Sequence, residues 1–242
     1  MAKRVVRIGD TVRRPLGPWS AAVHSLLRHL EAAAFPAPRV VGTEGDCEVL
    51  SWIEGESGAD GWAKIVPEAG LGLWGGFLRR YHDAVRGYRP APGTEWASGL
   101  GTCGPGEIIC HGDFGPWNAV WRGDEIAGLI DWDMARPAAP IFDIAYALEY
   151  AVPFRDDEES MRWMRHQEPP DRRRRIETFC TAYGMPVPDD IVARVADQQR
   201  LTAENCAALA RRGIEPHATW ARDGYLEQLQ ARISWTEAAQ IW

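Results

Sequence analysis

The chain has 242 residues, 45% hydrophobic and 25% charged, enough apolar material for one large domain or two small lobes around a shared cleft. A net charge of −7 argues against a chain built to coat nucleic acid, and no apolar run approaches the length of a membrane span. Five scattered cysteines (Cys47, Cys103, Cys110, Cys180 and Cys206) without a CxxC pair fit neither a disulfide framework nor a zinc site. The opening MAKRVVRIGD turns polar too soon for a secretory signal, so a cytoplasmic protein with reduced thiols is expected, with no membrane or nucleic-acid partner.

In chain order, Val5–Ile8 and Thr11–Arg14 alternate around Gly9-Asp10 and read as a β-hairpin. Ser20 stands as the N-cap of a helix whose Val23, Leu26, Leu27 and Leu30 fall at helical spacing; Pro36 and Pro38 end it. Arg39–Gly42 and Cys47–Ile53 read as two further strands, giving four strands and one helix over residues 1–56. From about residue 60 the chain turns helical, with GLGLWGGFLRRYHDAV a helix despite its glycines and residues 89–106 a Pro/Gly-rich loop. A short strand, Ile108–Cys110, leads to His111. A second hairpin, Ala119–Arg122 with Ile126–Ile130, turns at Gly123-Asp124-Glu125. Beyond Pro140 the reading is helical, and RDDEESMRWMRHQEPPDRRRR, charged with both signs, reads as solvated surface.

Chemistry concentrates in His111-Gly112-Asp113-Phe114-Gly115-Pro116-Trp117-Asn118, followed by Ile130-Asp131-Trp132-Asp133. Asp113 and Asn118 sit in a tight loop after an apolar strand. The hairpin that follows returns the chain to its start and should bring Asp131 beside Asn118. Two carboxylates and an amide oxygen converging in this way suit a hard cation such as Mg²⁺ with phosphate.

The Asp-x-x-x-x-Asn spacing matches the protein-kinase catalytic loop, and HGDxxxxN followed by IDWD more closely resembles the aminoglycoside phosphotransferase and choline kinase-like superfamily. The resemblance implies an α+β, bilobal protein-kinase-like fold. A small N-terminal β-sheet lobe would occupy residues 1–56, and a larger, mainly helical C-terminal lobe residues 57–242, with the catalytic loop and metal motif at 108–145. It implies transfer of the γ-phosphate of ATP or GTP to a hydroxyl of a small-molecule acceptor, with Mg²⁺. Residue by residue, it makes Asp113 the catalytic base with His111 supporting its loop, Asn118 and Asp131 the metal ligands, and Asp143 a structural residue. The link after the fourth strand, Ser51, Trp52 and Ile53, would offer backbone groups to the nucleotide base.

The N-terminal lobe departs from that pattern. Only about ten residues precede Thr11 and no GxGxxG is present, so the first strand and its glycine-rich flap are expected to be missing. Of 27 basic residues only Lys3 and Lys64 are lysines, and neither falls on the strand that would carry the phosphate-binding lysine. Arg14 is the better-placed substitute there, since Pro15 ends the strand, although a solvated strand charge reads the same way. The next helix offers His24 and Glu31 rather than a glutamate in the usual register. Two readings follow: a small-molecule kinase with a trimmed N-terminal lobe, or a catalytically impaired kinase-like nucleotide- or ligand-binding protein. On the acceptor side the sequence offers Tyr146, Glu149, Tyr150 and Phe154, then Trp220, Tyr225, Trp235 and Trp242, aromatics that serve a core as readily as a substrate cage.

Overall fold

The computed structural model describes residues 5–239 and 241; Lys3 and Trp242, singled out in the sequence, lie outside the described residues. The fold is α+β, a small antiparallel sheet followed by a mainly helical body. No described helix is long and apolar enough to cross a membrane.

Strands β1 (Val6–Ile8) and β2 (Thr11–Pro15) form the expected hairpin; α1 (Ser20–Ala32) follows, then β3 (Val40–Glu44) and β4 (Cys47–Ser51). The sheet order is β1-β2-β4-β3, so β2 and β4, distant in sequence, lie side by side with Arg14 opposite Glu48. Helix α1 buries Val23, Leu26, Leu27 and Leu30, the apolar stripe that its spacing dictates. Ser20 does not cap it: Trp19 holds the N-cap position, and the Ser20 hydroxyl accepts the Gly17 N–H at 2.9 Å. Phe35, just past α1, ties this lobe to the body by ring contacts with Phe77 (5.2 Å), Tyr81 (5.5 Å) and Trp132 (6.4 Å).

The body begins with α2 (Asp60–Ile65) and α3 (Glu68–Val85). The Pro/Gly-rich stretch expected to be all loop contains a minimal hairpin, β5 (Glu95–Trp96) with β6 (Gly99–Leu100). Then come β7 (Ile108–Cys110), the hairpin β8 (Ala119–Arg122) and β9 (Glu125–Leu129), and β10 (Arg136–Ala138), which pairs with β7. The β8–β9 turn is tighter than expected, because Glu125 already pairs with Arg122. Six helices complete the described residues: α4 (Ile141–Ala151), α5 (Asp157–Met164), α6 (Arg172–Tyr183), α7 (Ile191–Arg211), α8 (His217–Arg222) and α9 (Tyr225–Ala238).

Two arginines of the charged stretch expected at the surface are buried. Arg175 donates to the Ala151, Val66 and Ile65 carbonyls at 2.7 Å each, tying α6 to the ends of α4 and α2. Arg155, 4% exposed, lies against Glu149 and Glu159. Charge runs predict solvation only for side chains whose polar ends find no partner inside, and these two find several.

Candidate active site

The 111–118 loop is anchored on every side before it presents anything. Asp143, wholly buried on α4, accepts the His111 N–H at 2.7 Å and the Gly112 N–H at 2.9 Å, with His82 Nε2 3.3 Å away. Burial opposes the Asp143 charge, but His82, His111 and the Gly112 N–H outweigh it and hold the carboxyl below its ordinary range. Gly112 has φ +80°, and a Cβ there would stand 2.0 Å from the Met134 carbonyl oxygen, so only glycine fits. On the other side α2 packs so close that a Cβ on Gly61 would meet the Pro116 oxygen at 2.0 Å. Phe114 inserts into the core and stacks on Trp74 at 4.0 Å.

His111 is fully buried and does not line the cavity that Asp113 faces. Its Nδ1 accepts the Asp113 N–H at 3.3 Å and its Nε2 donates to the Ile130 carbonyl at 3.1 Å. Burial pushes its pKa down to about 4, so the ring is neutral and bridges the Asp113 loop to the end of β9. In the structure it supports the Asp113 loop through these two hydrogen bonds.

Asp113 receives the Asn118 Nδ2 at 2.9 Å on Oδ2 and the Tyr146 hydroxyl on Oδ1. Burial, and secondly the charge of Asp131, raise its pKa to about 7, against the pull of those donors. A carboxylate titrating near neutrality is well matched to accepting a proton. Tyr146 stays protonated and donating, because burial and then the Asp113 charge push its pKa well up.

The hairpin does return as its spacing requires. The Ile130 N–H donates to the Asn118 carbonyl at 2.9 Å, setting Asp131 beside the loop, and Asp113 and Asp131 line one cavity. Asp131 adopts left-handed backbone (φ +62°, ψ +71°), an uncommon conformation that turns the chain into the short helical turn Trp132–Met134. Its carboxylate is about half exposed, and Asp133 stands close by. All the donors here are oxygens, which fits a hard divalent cation.

Arg14 crosses from the sheet to this cluster. Its Nε donates to Glu48 Oε1 at 2.7 Å and its Nη2 to Asp133 Oδ1 at 2.9 Å, while Nη1 lies 3.6 Å from Asp131 Oδ1. Glu48 is also held by His24 Nε2 at 2.5 Å. The carboxylate partner of the basic residue thus comes from the neighbouring strand, and the helix contributes a histidine. Burial opposes the Arg14 charge, but Asp133, Glu48 and Asp131 raise its pKa overall.

Ser51, Trp52 and Ile53, the expected link to a nucleotide base, do not line this cavity. The N–H groups of Ser51 and Trp52 are spent at 2.8 Å on the Arg39 and Asp10 carbonyls, because the strand pairing continues through them. Sequence reasoning also missed Glu48 and Asp133, and of the acceptor-side candidates Phe154 is simply core.

The cavity has a volume of about 1070 Å³ and runs from Arg14 and Asp131 past Asp113 to Tyr146, Tyr150, Tyr225 and Trp235.

Known proteins share this architecture. Residues 94–179 match the model of the phosphotransferase enzyme family (APH). A trifolitoxin immunity protein of Rhizobium leguminosarum bv. trifolii is 42% identical over 162 residues; the match takes in 64% of this chain and spans 60% of that relative's length. An aminoglycoside phosphotransferase of Streptomyces rimosus, solved with ADP and streptomycin, superposes with a TM-score of 0.55 at 18% identity, over 80% of this chain and 87% of that one. An amicoumacin kinase solved with AMP-PNP and Ca²⁺ gives 0.62 at 12% identity, over 99% and 89%. The chain therefore has the fold of the aminoglycoside phosphotransferase and choline kinase-like superfamily, and over residues 94–179 it carries the sequence pattern of that phosphotransferase family.

Proposed function

We propose that the protein is a divalent-metal-dependent small-molecule kinase that transfers the γ-phosphoryl group of ATP or GTP to an acceptor hydroxyl. The observation that carries this is that Asp113 and Asp131 line one cavity, with buried Asn118 bonded to the Asp113 carboxylate and Arg14 reaching the cavity from the sheet. Asp113 accepts the acceptor's hydroxyl proton as the acceptor oxygen bonds to the γ-phosphorus. The bond from that phosphorus to the β–γ bridging oxygen breaks, and the nucleoside diphosphate leaves with the electron pair. Asn118 and Asp131 would hold Mg²⁺, which supplies charge neutralisation on the transferred group. Tyr146 and Asn118 fix the Asp113 carboxylate, so positioning is settled before substrate arrives. Arg14 meets the nucleotide phosphates once its contact with Asp131 yields. The relative named as an immunity protein fits a kinase that disarms a toxic small molecule by modifying it.

The rival reading, a kinase-like binding protein without transfer, is favoured by one observation: Arg14 is already engaged by three carboxylates. Thermal-shift measurements with ATP, GTP and AMP-PNP, each with and without Mg²⁺, separate the two, because a ligand of the native state must stabilise it. A shift that needs nucleotide and Mg²⁺ together is expected. Absence of a shift with every nucleotide would overturn the kinase reading.

A further inference from the structure

Two separate clusters of aromatic rings line the far half of the cavity. Beside the catalytic loop, Trp62, Trp117, Tyr146 and Tyr150 lie in continuous ring contact, with Trp62–Trp117 at 5.0 Å, Trp117–Tyr150 at 4.7 Å and Tyr146–Tyr150 at 5.2 Å. All four line the cavity, and the Tyr146 hydroxyl donates to Asp113, so this row starts where an acceptor hydroxyl must sit. The second cluster stands on the C-terminal helices. Trp220 of α8 lies 5.4 Å from Tyr225 of α9, and both line the same cavity.

Core packing does not account for the outer rings, which is the second observation. Trp163 and Trp220 line the cavity, yet they are 63% and 43% exposed. Helix α8 buries none of its residues, and α5 buries only Ser160 and Met164, so neither tryptophan anchors its own helix. Large apolar surfaces left to solvent at the rim of a cavity mark the contact surface of a ligand. The charged groups make no comparable selection. Both signs line the cavity, and Arg155 and Arg232 already donate to Glu159 at 3.0 Å each.

Resting on the phosphotransferase reading above, in which the nucleotide phosphates lie at the Arg14 and Asp131 end, we infer that the acceptor is an alcohol built on two or more aromatic rings and bound through ring faces rather than ion pairs. Its hydroxyl meets Asp113 beside Tyr146, its body lies against Trp117 and Tyr150, and its outer part covers Trp163 and Trp220. These two tryptophans are then specificity-determining residues. A small cation could touch one cluster, whereas a molecule that reaches both buries the apolar surface that the protein leaves exposed.

The test needs no turnover. The uncharged aromatic dye N-phenyl-1-naphthylamine is titrated into the full chain without nucleotide and followed by its fluorescence. It is then displaced with 2-naphthalenemethanol, with choline or with kanamycin, a polycation. The expected results are saturable one-to-one binding and displacement by the ring alcohol at concentrations where choline and kanamycin have no effect. Trp163→Ala and Trp220→Ala, both at exposed positions, should each weaken dye binding roughly fivefold, in line with losing an aromatic contact. Trp220→Phe, which keeps a ring, should retain most of the affinity. If one alanine variant fails to fold by circular dichroism, the other decides the matter. Wild-type affinity in a folded alanine variant, uptake of several dye molecules per chain, or displacement by choline or kanamycin at lower concentration than by the ring alcohol overturns the inference. Absence of the nucleotide-dependent thermal shift would sink the kinase reading without touching these titrations, so the two can fail separately.

Discussion

Arg14 on β2 and Glu48 on β4 are direct cross-strand partners, and the Arg14 Nε donates to Glu48 Oε1 at 2.7 Å with Glu48 almost wholly buried. On the kinase reading this pair would stand in for a strand lysine and helix glutamate; His24 on α1 closes the network. A planar guanidinium can hold Glu48 through Nε and present its two terminal nitrogens to phosphate in fixed geometry, where a lysine offers a single point charge. Arg14→Ala is expected to weaken binding of AMP-PNP with Mg²⁺ by at least about tenfold in calorimetric titration, the loss of one or two charge-assisted hydrogen bonds. Arg14→Lys should recover only part of that. Unchanged affinity in Arg14→Ala would remove Arg14 from the nucleotide site.

Tyr146 yields a cleaner probe of geometry. Tyr146→Phe keeps the ring that packs on Tyr150 and Trp117 but deletes the donor to Asp113. With that donor gone the carboxylate keeps Asn118 and Trp117 as side-chain donors but loses its tether on Oδ1, so kcat should fall about tenfold while the KM for nucleotide stays near wild type. A fall in nucleotide affinity with kcat intact would assign Tyr146 to binding instead.

The motif region was the most legible part of the sequence, because its information is local. A strand, a tight loop and a hairpin fix where Asp113, Asn118 and Asp131 go without knowledge of any distant segment. The β2–β4 pairing was hidden for the opposite reason: the two strands are separated by α1 and β3, and register between them depends on packing that no local pattern encodes. Glu48 therefore looked like an ordinary strand residue, and His24 like a failed glutamate. The β7–β10 pair was missed in the same way, since Arg136–Ala138 contains a proline and is only three residues long. Ser51 and Trp52 were singled out for a backbone role, which leaves no side-chain signature, and their N–H groups are committed to the Arg39 and Asp10 carbonyls.

His166 makes a stability prediction that is independent of catalysis. It is 9% exposed, and burial, then the charges of Arg175 and Arg172, push its pKa down to about 4. The unfolded chain takes up the proton near pH 6.5 and the folded one does not, so this contribution to stability is present above pH 6.5 and is lost as pH falls toward 4. His166→Gln should flatten that decline, leaving the variant's Tm roughly a few degrees less sensitive to acid over this window. Parallel Tm–pH curves for the two proteins would show that the histidine is protonated without cost.

The decisive pair of variants separates the proton acceptor from the metal ligand. On the proposed reading Asp113 accepts the hydroxyl proton; it is hydrogen-bonded to Tyr146 and Asn118, while Asp131 is half exposed and faces Arg14. Asp113→Ala should abolish transfer, losing on the order of a hundred- to ten-thousand-fold from the missing base. It should leave the Mg²⁺-nucleotide thermal shift largely intact, since no phosphate contact is removed. Asp131→Ala should lower turnover and the Mg²⁺-dependent part of the shift together, because the metal and the phosphates it carries are lost as a unit. Until an acceptor is identified, slow hydrolysis of nucleotide by the wild type is the working readout, with water in place of the acceptor hydroxyl. If both variants bind and hydrolyse nucleotide like the wild type, the carboxylates are structural. The binding-protein reading then takes precedence, with the Arg14 cluster as a fixed strut rather than a phosphate clamp.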